Sequence, residues 1–385
     1  MSLALHQDAA PDLEALSRAF AARAAEHDRT GRFPHANFAA LHAAGLLGLT
    51  VPRAQGGQGE GLAAALTAIE AVSRGCASTG LVFAMHLTHQ AGIAREAAFP
   101  EALRARVGAD AVRQGALVNA LRVEPELGSP SRGGLPETIA RRQPDGSWRL
   151  TGRKIYSTGS PGLGWMLVWA RDDGDAPRVG PVLVPARAPG VRIEESWDHL
   201  GLRATASHDV VFDEVRLEEA SLAALRPPAE WRVPDSTGLA WNAAGIGAIY
   251  TGVARAAAAW TAQFLRDRVP SGLGKPLATL PRMQEKAGAI EELLTANARL
   301  LRSLAAEVDA GAPPGPAESG LLKTTLVENA ARAVEIAVGL GGNHALSRRN
   351  PLERHWRDVQ CGRAHVPHVD FAHQSAGREA LEAGA

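Results

Sequence analysis

The chain predicts an α+β protein in three consecutive parts: a helical N-terminal domain over residues 1–115, a small β-barrel or β-sheet domain over 116–225, and a helical domain over 226–385. Three observations carry this. From Pro11 to about Gly115, apolar residues recur at three- and four-residue spacing. Between Ala116 and about Leu217 the period changes to short apolar runs broken by Gly, Pro and Asp. Beyond the Pro-rich stretch RPPAEWRVPD at 226–235 the helical period returns in three long Ala/Leu-rich segments.

Within the first part, Leu13, Leu16, Ala19 and Phe20 form an apolar stripe, with Asp12 placed as its N-cap. Phe38, Leu41, His42 and Leu46 repeat the pattern and stop at Gly45 and Gly48. A Gly-rich loop, Val51 to Gly57, precedes helices predicted over 62–74 and 78–95. The second of these carries His86 and His89 one turn apart on one face. In the β part, Leu117-Val118, Ile139-Ala140, Trp148 to Leu150, Val182 to Val184 and Val210 to Phe212 read as strands. In the last part, helices are predicted over 238–268, 284–308 and 320–339, apolar over much of their surface and therefore suited to a bundle and to subunit contacts.

Residues 150–170, LTGRKIYSTGSPGLGWMLVWA, organise the site. Lys154, Ile155 and Tyr156 lead into a polar turn, Ser157 to Gly162, and Trp165 to Ala170 leave it as a strand. The turn offers hydroxyls and amide N–H groups beside an aromatic ring. Such a surface suits a flat heteroaromatic ligand, whose face meets the ring and whose edge meets the donors. An ordinary hairpin with a polar loop is the plainer alternative.

Composition narrows the function classes. Of the 385 residues, 45% are apolar and 21% charged, the balance of an ordinary globular protein. Lys plus Arg and Asp plus Glu are equal at 41, without the basic excess of a nucleic-acid binder. Two cysteines, Cys76 and Cys361, make neither a disulfide framework nor a zinc site, and fit a reducing cytoplasm. Asp8, Asp12 and Glu14 precede any long apolar run, so neither a signal peptide nor a membrane span is expected. Ser271 to Pro276 is not a phosphate loop, because Val269 stands where its first Gly must be and Pro276 replaces Ser/Thr. No metal is expected; the His365, His368 and His373 cluster has no Cys beside it.

With these residues in view, the chain resembles the acyl-CoA dehydrogenase superfamily of flavoproteins over nearly its whole length. Val123-Glu124-Pro125-Glu126-Leu127-Gly128-Ser129 is similar to the family's flavin loop, with Val123 in the place of Thr. Gly152-x-Lys154-x-Tyr156-Ser157-Thr158 is similar to a second motif, and Leu200 to Ser207 with Val211 to Val215 to a third. The span Arg268 to Gln284, Gly341-Gly342, and Arg354-x-x-Arg357-Asp358 resemble segments that hold the cofactor's phosphate and adenosine end, partly across a subunit interface. The resemblance implies an acyl-CoA dehydrogenase-like fold with a C-terminal four-helix bundle, and FAD or FMN as cofactor. It assigns Val123, Gly128, Ser129, Tyr156, Ser157, Thr158, Arg268, Gln284, Gly341 and Gly342 to the flavin, with Tyr156 packed on its ring and Thr158 on its N5/O4 edge. A homodimer or homotetramer is implied.

One departure shapes the functional expectation. An acyl-CoA dehydrogenase needs a carboxylate to take the α-proton while the β-hydride leaves. Most members carry that Glu eight residues beyond the Asp of the Arg-Asp pair, where this chain has Val366. The less common location, ahead of the first C-terminal helix, reads Ser236-Thr237-Gly238, with Asp235 the nearest carboxylate. Histidines stand near the expected place instead. That is similar to the flavin monooxygenase branch, which oxygenates sulfur heterocycles, phenols or amines and places His and Ser where oxygen reacts. His86 or His89, Ser157 or Thr158, and His365 are the candidates for that role. The expectation is a cytoplasmic monooxygenase-type enzyme acting on a small organic substrate, supplied with electrons by a separate flavin reductase. The alternatives are an acyl-CoA dehydrogenase, for which an acyl-CoA is substrate and an electron-transfer flavoprotein the partner, and a flavin- or acyl-binding protein without turnover.

Overall fold

The computed structural model describes residues 11–128 and 134–382. Five helices come first: α1 (Leu13–Thr30), α2 (His35–Ala43), α3 (Leu62–Gly75), α4 (Ala77–Arg95) and α5 (Glu101–Gln114). Seven strands follow: β1 (Leu117–Leu121), β2 (Ile139–Arg142), β3 (Trp148–Lys154), β4 (Leu163–Asp172), β5 (Val179–Pro185), β6 (Val191–Glu194) and β7 (Asp209–Leu217). The chain ends in α6 (Ser236–Asp267), α7 (Pro281–Asp309), α8 (Pro316–Gly341), α9 (Leu352–Gln360) and α10 (Val369–Glu382). Asp12 caps α1 as expected, its Oδ1 accepting from Ala15 N at 2.9 Å. Asp235 caps α6 in the same way through Gly238 N. The C-terminal segment forms α9 and α10, with α10 laid along α8.

The strands form one sheet in the order β1-β4-β2-β3-β7-β6, with β5 on the other edge of β4. β1 runs parallel to β4, pairing Asn119 with Met166, while β3 runs antiparallel to β7. The plainer reading of residues 150–170 as a hairpin is thereby corrected. β3 and β4 bracket the polar turn but are not paired, because β2 pairs with both and lies between them. The turn thus crosses the sheet end and meets other elements there.

Long α4 is the hinge of the packing. On one side Val82 meets Gly159 of the turn, so closely that a Cβ on that glycine would lie 2.9 Å from Val82 Cγ1. On the other side Thr88 faces Gly245 of α6. α6 in turn packs along α8, α3 and α7. A continuous apolar core, including Phe83 and Leu87 of α4, Met166 of β4 and Ile249 of α6, runs through all three parts. It holds the turn and the first half of α6 at fixed positions around α4.

Candidate active site

The site is built from the sheet end outward. Beneath it lies an ion pair between residues 30 positions apart: Lys154 Nζ is 2.6 Å from Glu124 Oε1, and the two side chains are 0% and 1% exposed. Glu124 Oε1 also accepts from Thr138 N and Thr138 Oγ1, and Oε2 accepts from Glu137 N. Burial alone would raise this carboxyl, but the bonds from Lys154 and Thr138 outweigh it and hold Glu124 below the usual carboxylate range. Gly152 is needed here, since a Cβ would sit 2.7 Å from Thr138 Cα and push Thr138 off the carboxylate. The pair ties the loop after β1 to the strand that enters the turn. Two further bonds complete the tie: Ile155 N donates to Val123 O at 3.0 Å, and Glu124 and Gly128 exchange backbone hydrogen bonds around a tight turn, with Gly128 at φ 66°. Val123 and Gly128 thus border the turn carrying Tyr156, Ser157 and Thr158. Ser129 lies outside the described residues.

Tyr156 takes the left-handed conformation, φ 55°, and is 54% exposed. A bulky residue held there is a strained arrangement that persists only where its surroundings enforce it. Its ring stands edge-on to Trp197 and His199, which stack on each other at 3.6 Å. Ser157 N donates to His208 O, and Gly159 N to Thr205 O. The Ser157 hydroxyl is buried with no protein partner among the described residues. Ser207 Oγ donates to Thr158 Oγ1 at 3.0 Å and lies 2.8 Å from Thr205 Oγ1, which leaves the Thr158 hydroxyl proton uncommitted. Asn119 of β1, absent from the sequence expectations, anchors the turn through Nδ2 to Thr158 O at 2.8 Å.

These features fit a flavin ring. An exposed aromatic face, a free hydroxyl proton and an orphaned buried hydroxyl lie together on three consecutive residues. An orphaned buried hydroxyl in a native protein calls for an explanation, and a bound group supplies one.

The histidines separate clearly. His86 is buried; its Nε2 lies 2.8 Å from Leu47 O and its Nδ1 accepts from Val118 N. Both nitrogens are used by backbone, and burial lowers its pKa to about 4. His86 therefore braces α4 against β1 and has neither proton nor lone pair to offer a substrate, which corrects its place among the candidates. His89, one turn on, is partly buried and has no protein partner among the described residues. Burial first, then the Arg122 charge, lower its pKa to about 4, so the ring is neutral at pH 7. His365 bonds through Nε2 to the hydroxyl of Tyr250 on α6, at 2.8 Å. Burial and the Lys323 charge lower it, too, to about 4.

His86 and the Ser157 turn are joined through neighbouring residues of β1, whereas among the described residues no hydrogen bond joins His365 to that turn. Thr88, next to His89, faces Gly245, and Val366, next to His365, accepts from Asn242 Nδ2 at 3.3 Å, so both histidine segments meet the N-terminal half of α6. The remaining cofactor candidates lie elsewhere. Arg268 and Gln284 are exposed at the α6–α7 connection, with Gln284 Nε2 donating to Ala278 O. Gly341 is buried where a Cβ would lie 2.8 Å from Ala345 Cβ, a packing requirement, and Gly342 caps α8 at φ 53°. Arg357 is bound to Asp28 and Glu353 and to Leu200 O, locking α9 to α1 and to the segment before Leu202.

Comparison with known proteins agrees with this fold. Family models described as the N-terminal, middle and C-terminal domains of acyl-CoA dehydrogenase match residues 13–102, 123–215 and 244–370. YdbM of Bacillus subtilis (strain 168), named provisionally as an acyl-CoA dehydrogenase, is 35% identical over 365 residues, 94% of each chain. L-evernosamine nitrososynthase of a Micromonospora strain is 29% identical over 359 residues, 89% of this chain and 82% of its own. The structure of TdsC from Paenibacillus sp. A11-2 with FMN and indole superposes with a TM-score of 0.83 at 24% identity, covering 96% of each chain, and speaks to the fold. On the fold, the site and these relatives together, the chain belongs to the acyl-CoA dehydrogenase superfamily of flavin-dependent oxidoreductases.

Proposed function

We propose that the protein is a monooxygenase-type member of this superfamily, acting on a small organic substrate with FMN or FAD. The observation that carries the reading is the identity of the residues at the expected base position. Val366 is 42% exposed there and cannot take a proton, and no Asp or Glu occurs between Val359 and Val369. The neighbouring group with exchangeable-proton chemistry is the His365 imidazole. Asp235, at the less common location, has Oδ1 engaged as the cap of α6.

In this reading Tyr156 supports the flavin ring, Thr158 donates its free hydroxyl proton to the ring edge, and Ser157 addresses the bound group with its orphaned hydroxyl. Bound flavin supplies the redox chemistry. With bound flavin, His365 and His89, both neutral at pH 7, would serve as proton-holding groups for the oxygen chemistry, and His365 would deliver a proton from its imidazole N–H. The apolar wall of α4 and α6 excludes bulk water. A relative named as a nitrososynthase, at 29% identity, supports a branch other than the dehydrogenases. The test is His365→Ala. With externally reduced flavin and a panel of sulfur heterocycles, phenols and amines, the variant should keep flavin affinity and lose oxygen-dependent turnover. Turnover equal to wild type would remove His365 from the reaction.

A second reading, α,β-dehydrogenation of an acyl-CoA thioester, is favoured by the similarity to YdbM and its name. It requires a base outside the two places described. Rapid flavin reduction by an acyl-CoA in the absence of oxygen would establish it.

A further inference from the structure

Two buried polar side chains outside the flavin turn converge on His365. Lys323 of α8 is 1% exposed, and its ammonium donates to Gly362 O at 3.0 Å, His365 O at 2.5 Å and Pro367 O at 3.1 Å. Three protons meet three carbonyls, so its donor capacity is fully used. No carboxylate accepts from it among the described residues; the nearby Glu328 is engaged by Arg363 through two bonds at 2.8 and 2.7 Å. A buried ammonium without a counter-ion is costly, and an apolar side chain could fill the same space. What the lysine does that an apolar residue could not is fix the backbone on both sides of residue 365.

Tyr250 is fully buried, and its hydroxyl has one recorded partner, His365 Nε2. If Nε2 carried the imidazole proton, the phenol proton would point at a donor and have no other acceptor. A buried hydroxyl proton without an acceptor is disfavoured, so the phenol donates and Nε2 accepts. The imidazole proton is then on Nδ1, which has no protein partner among the described residues. Glu328 and Arg363 add a second clamp from α8 to the same segment.

We infer that Tyr250 and Lys323 are positioning residues: Tyr250 holds His365 in its Nδ1–H tautomer, and Lys323 pins the loop that carries it, so that an unshared N–H is presented for proton delivery. The consequence for turnover rests on the proposed role of His365; the tautomer and the pinned loop do not.

The experiment is nitrogen-15 NMR of the full-length protein at pH 7, with and without FMN, using His365→Ala to identify the His365 signals among the 13 histidines. Wild type should show a protonated Nδ1 and an unprotonated, hydrogen-bonded Nε2. Tyr250→Phe, which keeps the ring, should abolish that preference. An Nε2–H tautomer in wild type, or an unchanged tautomer in the variant, overturns the assignment for Tyr250. For Lys323 no variant is needed. Lys275 and Lys286 are exposed, so slowly exchanging ammonium signals belong to Lys154 and Lys323, and Lys154→Met identifies the first. A protected Lys323 signal supports the pinned loop; rapid exchange refutes it. Loss of turnover in His365→Ala with the wrong wild-type tautomer leaves the functional reading standing and removes this inference. The right tautomer with full turnover in His365→Ala does the reverse.

Discussion

Lys154→Met tests the physical foundation of the site. The substitution keeps an unbranched chain but removes the charge that faces Glu124 at 2.6 Å, where both side chains are at most 1% exposed. Breaking a buried pair by removing one partner costs about 3–5 kcal/mol, because the remaining charge has lost its compensation. Glu124 would retain three donors, Thr138 N, Thr138 Oγ1 and Glu137 N, which places the expected loss toward the lower end, about 3 kcal/mol.

The loss should also depend on pH in a set direction. In wild type the lowered Glu124 contributes stability that is present above the unfolded carboxylate value, about 4.3, and disappears as pH falls through the lower folded value. In the variant, burial without Lys154 raises the folded value above the unfolded one. Its penalty is then full at neutral pH and is relieved as pH falls through the raised value. The difference between the two proteins should therefore be largest near pH 7 and shrink toward pH 4. Urea unfolding of both proteins across that range measures it. A difference below about 1 kcal/mol at pH 7, or one that stays constant to pH 4, would refute the electrostatic account of the pair.

Three further outcomes follow from named contacts. Thr158→Val should weaken FMN binding by about two- to tenfold, the worth of one hydrogen bond, with the fold intact; fluorescence titration showing equal affinity would make the turn an ordinary loop. Asp309→Ala removes the acceptor that caps α3 through Leu62 N and Ala63 N, at 2.7 and 3.0 Å, and should cost about 0.5–2 kcal/mol in unfolding with flavin affinity unchanged. The protein should sediment as a dimer or tetramer, because Trp356, Phe371 and Leu381 leave large apolar surfaces exposed at its C-terminal helices; a flavin-bound monomer at micromolar concentration would contradict this.

Much of the fold was legible because long helices repeat their period many times. The segment 238–268 became Ser236–Asp267, and 284–308 became Pro281–Asp309, extended by a Pro at the first helical turn that periodicity alone passes over. β6 escaped notice because its four residues, Val191–Glu194, present no buried face to alternate. α9 escaped because its buried residues include His355 and Asp358, so no apolar stripe marks it. The polar turn, Ser157 to Gly162, was visible as contiguous residues. The parts of the site missed are those joined across the chain: Asn119 with Thr158, Glu124 with Lys154, and Tyr250 with His365, 115 positions apart. One cue existed for the last pair. Tyr156 and Tyr250 are the chain's two tyrosines, and the first already belonged to a motif.

The most direct test of the central claim is anaerobic mixing of the flavin-loaded protein with short-, medium- and branched-chain acyl-CoA thioesters while the flavin absorbance is followed. If Val366 occupies the base position, as proposed, concerted removal of the α-proton and β-hydride lacks its general base, a loss of about 10²–10⁴-fold in rate. The account predicts negligible bleaching by every thioester, together with prompt bleaching by an external reductant. Rapid bleaching by any one of them would contradict it and make the protein an acyl-CoA dehydrogenase.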